Sequence, residues 1–144
     1  MNILFFLKPK STVSYIYSDH TVRQGLEKMR AHGYTAIPVI HRDGRYAGTV
    51  SEGDFLWHIL DGRSASIKKQ EKFKITDIMR PEFNPAVTVD TDIDCLLTKM
   101  TEQNFVPIVD DRNVFMGIVT RKDIIKFLYS EKSEKGAGQH AAYA

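Results

Sequence analysis

Cysteine is almost absent: Cys95 is the single one in 144 residues. An internal disulfide, a thiol redox pair and a thiolate zinc site are therefore excluded, and a reducing compartment is the expectation. Long hydrophobic runs are lacking too. Ile3 to Leu7 is the most apolar stretch near the start, far short of the ~20 residues of a membrane span and without the basic region and cleavage site of a signal peptide. No charge sign dominates, since 20 Lys and Arg face 18 Asp and Glu. Cutting the chain after residue 72 leaves +4 and −2, too small a field to imply nucleic-acid binding. What is present is ordinary: 42% hydrophobic and 26% charged positions, enough for a buried core. A soluble, cytoplasmic protein with neither a membrane nor a nucleic-acid partner is expected.

The chain repeats itself. Setting Met29 on Met100, an offset of 71, also aligns Asp19 with Asp90, Val22 with Ile93 and Leu26 with Leu97. Farther on the offset falls to 69, aligning Pro38 with Pro107, Gly48 with Gly117, Ser51 with Thr120 and Asp54 with Asp123. Two extra residues near Gly33-Tyr34-Thr35 account for the change. Each copy opens near a proline, in Leu7-Lys8-Pro9 and Met79-Arg80-Pro81. The expected organisation is a first repeat over 1–62 including the N-terminal segment, a Lys-rich linker over 63–75, a second repeat over 76–130 and a mobile tail over 131–144. A unit of about 55 residues holds little core alone, so the copies should pair.

Each copy reads as strand, helix, hairpin, helix, a mixed α+β class. Val22, Leu26 and Met29, and then Ile93, Leu96, Leu97 and Met100, fall at helical spacing. Asp43-Gly44 predicts a tight primed turn between Ile37–Ile40 and Tyr46–Val50, with Arg112-Asn113 in the equivalent place. Phe55, Leu56, Ile59 and Leu60, then Ile124, Ile125 and Leu128, predict a second amphipathic helix per copy. Pro38 argues that its strand lies at an edge or beside an opening.

Chemistry concentrates in Gly48-Thr49-Val50-Ser51-Glu52-Gly53-Asp54 and Gly117-Ile118-Val119-Thr120-Arg121-Lys122-Asp123. Each sets a hydroxyl at a strand end and an Asp three residues later. That is also the capping-box pattern of helices that bind nothing. Three features favour a ligand. Glycine, hydroxyl and acid stay in register in both copies. A helix N-terminus suits an anion. Arg121 and Lys122 put two cations where the helix dipole disfavours each by ~0.3–1 kcal/mol, which a phosphate would offset. A neighbouring carboxylate can accept from a ribose diol, so the combination describes a nucleotide.

With Gly33-Tyr34-Thr35-Ala36-Ile37-Pro38-Val39 and Gly117 to Asp123, residues 7 to 130 resemble a tandem cystathionine-β-synthase-type (CBS) domain pair, the Bateman module. The resemblance implies two β-α-β-β-α repeats about a pseudo-two-fold axis, with adenosine ligands in two clefts. It implies ribose contacts from Asp54 and Asp123 and ribose or phosphate contacts from Ser51 and Thr120. Thr35, Ala36, Ile37 and Pro38, with Asn104, Phe105, Val106 and Pro107, match the strand lining the cleft. Tyr15 and Ile16, with Ala86 and Val87, match a first strand that walls the base. Thr35 and Asn104 stand where relatives often carry a basic residue, leaving phosphate to Arg121 and Lys122, with Arg80 or Lys10 as reserves. The second site is thereby put ahead of the first.

The function so implied is a regulatory sensor, not an enzyme, that binds AMP, ADP or ATP as its ligand, works as a homodimer and signals to an unknown protein effector. A cyclic di-adenosine monophosphate receptor and a ligand-free interaction module are the alternatives. A hydrolase is disfavoured, as neither site carries paired carboxylates or a nucleophile–base pair. The five histidines, His20, His32, His41, His58 and His140, lack metal-ligand spacing, so no metal is expected. Cys95 is expected as a small buried hydrophobe and Trp57 as a core residue by default. Asn2 to Leu7 must cover something apolar.

Overall fold

The structure, a computed structural model, describes residues 2–143, with side-chain surroundings defined for residues 2–135. The two repeats are plain in the element order. The first holds β2 (Ile16–Tyr17), α1 (Val22–His32), β3 (Ala36–Ile40), β4 (Tyr46–Ser51) and α2 (Glu52–Leu60). The second holds β5 (Val87–Thr88), α5 (Ile93–Met100), β6 (Phe105–Val109), β7 (Phe115–Thr120) and α6 (Arg121–Tyr143). Short helices α3 (Ile67–Gln70) and α4 (Ile75–Ile78) lie between them, and β1 (Lys8–Pro9) precedes the first. The extra residues of the first copy fall where α1 runs past Met29 to His32 before Gly33 caps it in the left-handed region.

Two mixed sheets result, ordered β2-β3-β4 and β1-β7-β6-β5. In each, a short strand pairs parallel to one side of a central strand and a hairpin partner pairs antiparallel to the other. Strand β2 covers only Val39 and Ile40 of β3, so Pro38, which has no N–H to donate, lies beside an opening as its chemistry requires. The hairpin loops are not two-residue primed turns. His41 and Arg45 bracket three residues, with Gly44 at φ +94°, and Asp110 and Val114 bracket three with Asn113 at φ +65°. A type I turn closed by a left-handed residue needs positive φ at that one position only, which Gly or Asn supplies.

The repeats exchange their leading segments. Ile3 and Phe6, in a 3-10 turn, pack with Val87, Leu96, Val106, Ile108, Val119 and Ile124 of the second repeat. Phe6 also meets Phe127 edge to face. Strand β1 then pairs antiparallel with β7. The N-terminal segment counted with the first repeat thus covers the core of the second. Reciprocally, Ile75 and Ile78 fill the first core with Ile16, Val22, Ile37, Val50 and Phe55. The stretch read as a linker is folded onto that repeat: Val22 and Ile75 exchange backbone hydrogen bonds with Phe73 and His20, and buried His58 meets Ser64 at 2.8 Å. Each fully buried aliphatic side chain contributes about 1.5–3 kcal/mol, so this exchange ties the halves into one cooperative unit.

At the far end of the hairpins the repeats join directly. Tyr46 N–H donates to the Asn113 carbonyl and Phe115 N–H to the Gly44 carbonyl, both at 2.9 Å, and the Tyr46 and Phe115 rings stack. Two helical faces remain outside this packing: Leu56, Trp57 and Leu60 on α2, and Ile125, Leu128 and Tyr129 on α6, are exposed. Trp57, expected in the core, is 65% exposed because Phe55 and His58 take the buried side of α2. Cys95 is likewise exposed, since Leu96 and Met100 form the buried face of α5. Beyond Ser130 the chain continues helical to Tyr143, with residues 131–135 exposed; the side chains of residues 136–144, in the expected tail, lie outside the described residues. No described helix is long and apolar enough to cross a membrane.

Candidate functional site

Ser51 and Thr120 each end a strand and begin a helix. The Ser51 hydroxyl accepts from Asp54 N–H and the Thr120 hydroxyl from Asp123 N–H, so both act as helix caps. The first-turn amides Glu52 N–H and Arg121 N–H are also taken, by the Thr35 and Asn104 carbonyls. Most helix N-terminal donors are therefore satisfied internally, and side chains must distinguish the two sites.

They do. The leading-segment exchange carries the residue before each proline to a carboxylate: Arg80 to Asp54 and Lys8 to Asp123. At Asp54 the closure is complete. Arg80 Nε donates to Oδ1 at 2.8 Å, Ser51 N–H donates to Oδ2 at 2.8 Å, and an Arg80 terminal nitrogen donates to the Ser51 hydroxyl at 3.2 Å. The Asp54 side chain is only 3% exposed. Asp123 is open by comparison. Its side chain is 31% exposed and its carboxylate meets Lys8 Nζ at 3.5 Å; Thr120 N–H does not close a reciprocal capping box onto it.

Beside the Asp123–Lys8 pair lies a cleft of about 300 Å³, within the range of small-ligand pockets. Thr35, Ala36, Ile37 and Pro38 form its wall from the first repeat and Asn104, Phe105, Ile118 and Thr120 from the second. Lys8, Thr12, Val13, Ser14 and Tyr34 complete it. The arrangement offers an apolar wall for a flat ring, hydroxyls for polar contacts, an available carboxylate for a diol and one ammonium for an anion. A second cleft, of about 380 Å³, is lined by Ala36, Asn104 and Phe105 together with Glu82, Phe83, Asn84, Pro85, Lys99, Glu102 and Gln103.

Several expected residues sit elsewhere. Ile16, Val87 and Val106 are core residues, Pro107 is buried, and Tyr15 packs against Tyr17 and Phe115. The residues just before the first strands line the clefts instead, Val13 and Ser14 in one and Asn84 and Pro85 in the other. Ala86 lies on neither wall. Arg121 is on neither wall, and its Nε donates to the Met100 carbonyl at 2.7 Å, closing the end of α5. Lys122 is exposed and absent from both walls. Lys10 lies over the Tyr15 ring. Lys8, not singled out from sequence, is the cation in the Asp123 cleft; its only signal was its place before Pro9, matching Arg80 before Pro81. Among the described residues no group of three or more His, Cys, Asp or Glu is placed to hold a metal.

Comparison with known proteins agrees with this architecture. The family model of the CBS domain matches residues 9–61 and again residues 75–130. A homoserine O-acetyltransferase of Methanococcus vannielii is 26% identical over 113 residues, 77% of this chain, but this chain spans only 22% of that protein. Cyclic di-AMP receptor B of Bacillus subtilis is 23% identical over 123 residues, covering 85% of this chain and 83% of its own. Among solved structures, CbpB in complex with c-di-AMP superposes with a TM-score of 0.86 at 22% identity, over 96% of this chain and 91% of that one. CBSX2 in complex with AMP superposes with a TM-score of 0.72 at 23% identity, over 91% and 98%.

Proposed function

Since the chain belongs to the CBS domain family, we propose that it is a regulatory sensor of adenine nucleotides, binding its ligand in the cleft beside Asp123 and passing occupancy to a protein effector. The observation that carries this reading is the open Asp123–Lys8 pair next to a cleft walled by both repeats. Asp123 accepts from the ribose hydroxyls, Lys8 neutralises phosphate, and the Ile37–Pro38 and Phe105 surfaces hold the base. A ligand touching both repeats favours the arrangement that it fits best, and only that difference in affinity can move the pair. The role in this reading is binding, as the contacts offered by the cleft are those of recognition: a carboxylate, an ammonium, hydroxyls and an apolar wall.

The exposed apolar residues on α2 and α6 support a homodimer joined through these helices, and the near absence of cysteine fits a cytoplasmic setting. AMP, ADP and ATP are the mononucleotide candidates. Cyclic di-AMP is the second reading, favoured by the Bacillus subtilis receptor and by the CbpB complex. A thermal-shift panel of AMP, ADP, ATP and cyclic di-AMP, with GTP as control, tests both. At 100 times its Kd a ligand adds about 2.7 kcal/mol of stability, a shift of several degrees for a chain of this size. A shift by an adenine compound that is lost in Asp123→Ala supports the sensor. No shift with any compound contradicts it and leaves an interaction module.

A further inference from the structure

The two carboxylates that the repeat sets in register are not equivalent, and the difference lies in their cations. Arg80 uses three groups at once. Its guanidinium binds Asp54 and Ser51, as above, and lies 3.9 Å from the centre of the Phe83 ring. The hydroxyl and carboxylate that a nucleotide would take from the first repeat are thus filled by a side chain of the same protein. The charge beside them is unfavourable as well. The cleft whose wall includes Phe83, the ring under Arg80, carries Glu82 and Glu102 against Lys99, whereas the wall of the other cleft carries Lys8, whose charge faces Asp123. Gln103 occupies polar groups on the wall of the acidic cleft by donating to Asn84 and to the Pro85 carbonyl.

We infer that Arg80 locks the first repeat's site, so that each chain takes one nucleotide, in the cleft beside Asp123. This rests on the nucleotide-binding reading and fixes its stoichiometry. A stacked guanidinium hydrogen-bonded to two residues at once competes with a ligand as a lysine ammonium cannot: Lys8, with its one contact to Asp123 at 3.5 Å, yields to an incoming nucleotide, while Arg80, bonded to Asp54 at 2.8 Å and Ser51 at 3.2 Å, does not. Removal of Arg80 frees Ser51 and Asp54 together.

Calorimetric titration with AMP and, separately, with cyclic di-AMP tests the lock on wild type, Arg80→Ala and Arg80→Met, the last keeping an unbranched side chain without the guanidinium. For whichever nucleotide binds, wild type is expected to saturate at one site per chain, and both Arg80 variants to gain a second site that Asp54→Asn in the same background removes. A single site in the variants, whether unchanged or weakened at least tenfold, overturns the lock, the weakened case making Arg80 a phosphate ligand. Two sites in wild type overturn the single-site inference and leave the nucleotide reading standing. No binding of either compound to any variant overturns both.

Discussion

Gly117 lets the backbone of Lys8 pass against strand β7. A Cβ at this position would overlap the Lys8 carbonyl, and Gly117 has a φ of +150°, which other residues rarely adopt. The contact places β1, and with it the one cation of the open cleft, beside Asp123. Gly117→Ala is therefore expected to displace β1, to cost about 1–3 kcal/mol in denaturant unfolding as overpacking does, and to weaken nucleotide binding. Gly48→Ala should cost less, because the added methyl would meet the movable end of Met79 instead of backbone. Equal losses at the two positions would contradict this account of β1.

Asp54 and Asp123 should separate stability from binding. Asp54 is buried, capping α2 and accepting from Arg80, so Asp54→Ala is expected to lower unfolding free energy by about 2–3 kcal/mol with little effect on nucleotide affinity. Asp123 is partly exposed and closes no reciprocal box, so Asp123→Ala should cost about 1 kcal/mol or less while reducing affinity at least tenfold. Urea unfolding beside nucleotide titration of both variants checks the crossing; parallel losses would contradict it.

Much of this was legible in the sequence. The Met29–Met100 and Asp54–Asp123 registers found both repeats, and Ser51 and Thr120 do begin helices. What escaped was whatever depends on contacts between distant segments. Cys95 was misplaced by its residue type: at about 100° per residue the spacing of Ile93, Leu96, Leu97 and Met100 puts position 95 off the buried face, where the structure has it. Alternation in a two-residue strand could not tell that Ile16 and Val87 face the core while Val13, Ser14, Asn84 and Pro85 reach the clefts. The dipole argument assigned Arg121 to phosphate, yet the Met100 carbonyl is a nearer partner. Lys8, and the pairing of Arg80 with Asp54 in place of phosphate, emerged only once the leading segments were seen to cross between repeats.

The two exposed helical faces, with Trp57 65% and Tyr129 71% exposed, form apolar surface of the kind that marks association sites. Light scattering should find a dimer in wild type, and Trp57→Glu combined with Ile125→Glu should give monomer with an unchanged unfolding midpoint at low concentration. A wild-type monomer at tens of micromolar would contradict the dimer.

Acid should weaken the fold through His20. Burial, then the nearby charge of Arg42 and also that of Lys28, holds its pKa below the ordinary 6.5, against the smaller opposing pull of Asp19. The unfolded chain therefore binds the proton more readily, so stability is intact above about pH 7 and falls as pH drops through the ordinary histidine range. His20→Gln should flatten that fall between pH 7 and 5, measured by urea unfolding. The same slope in the variant would assign the loss to other groups.

Amide hydrogen exchange with and without AMP or cyclic di-AMP reads whether a nucleotide is held between the repeats. The compound that binds is expected to slow exchange at 12–14, 35–37 and 118–123 together, segments from both sides of one cleft. Protection confined to a single repeat, or none at saturating nucleotide, would contradict it.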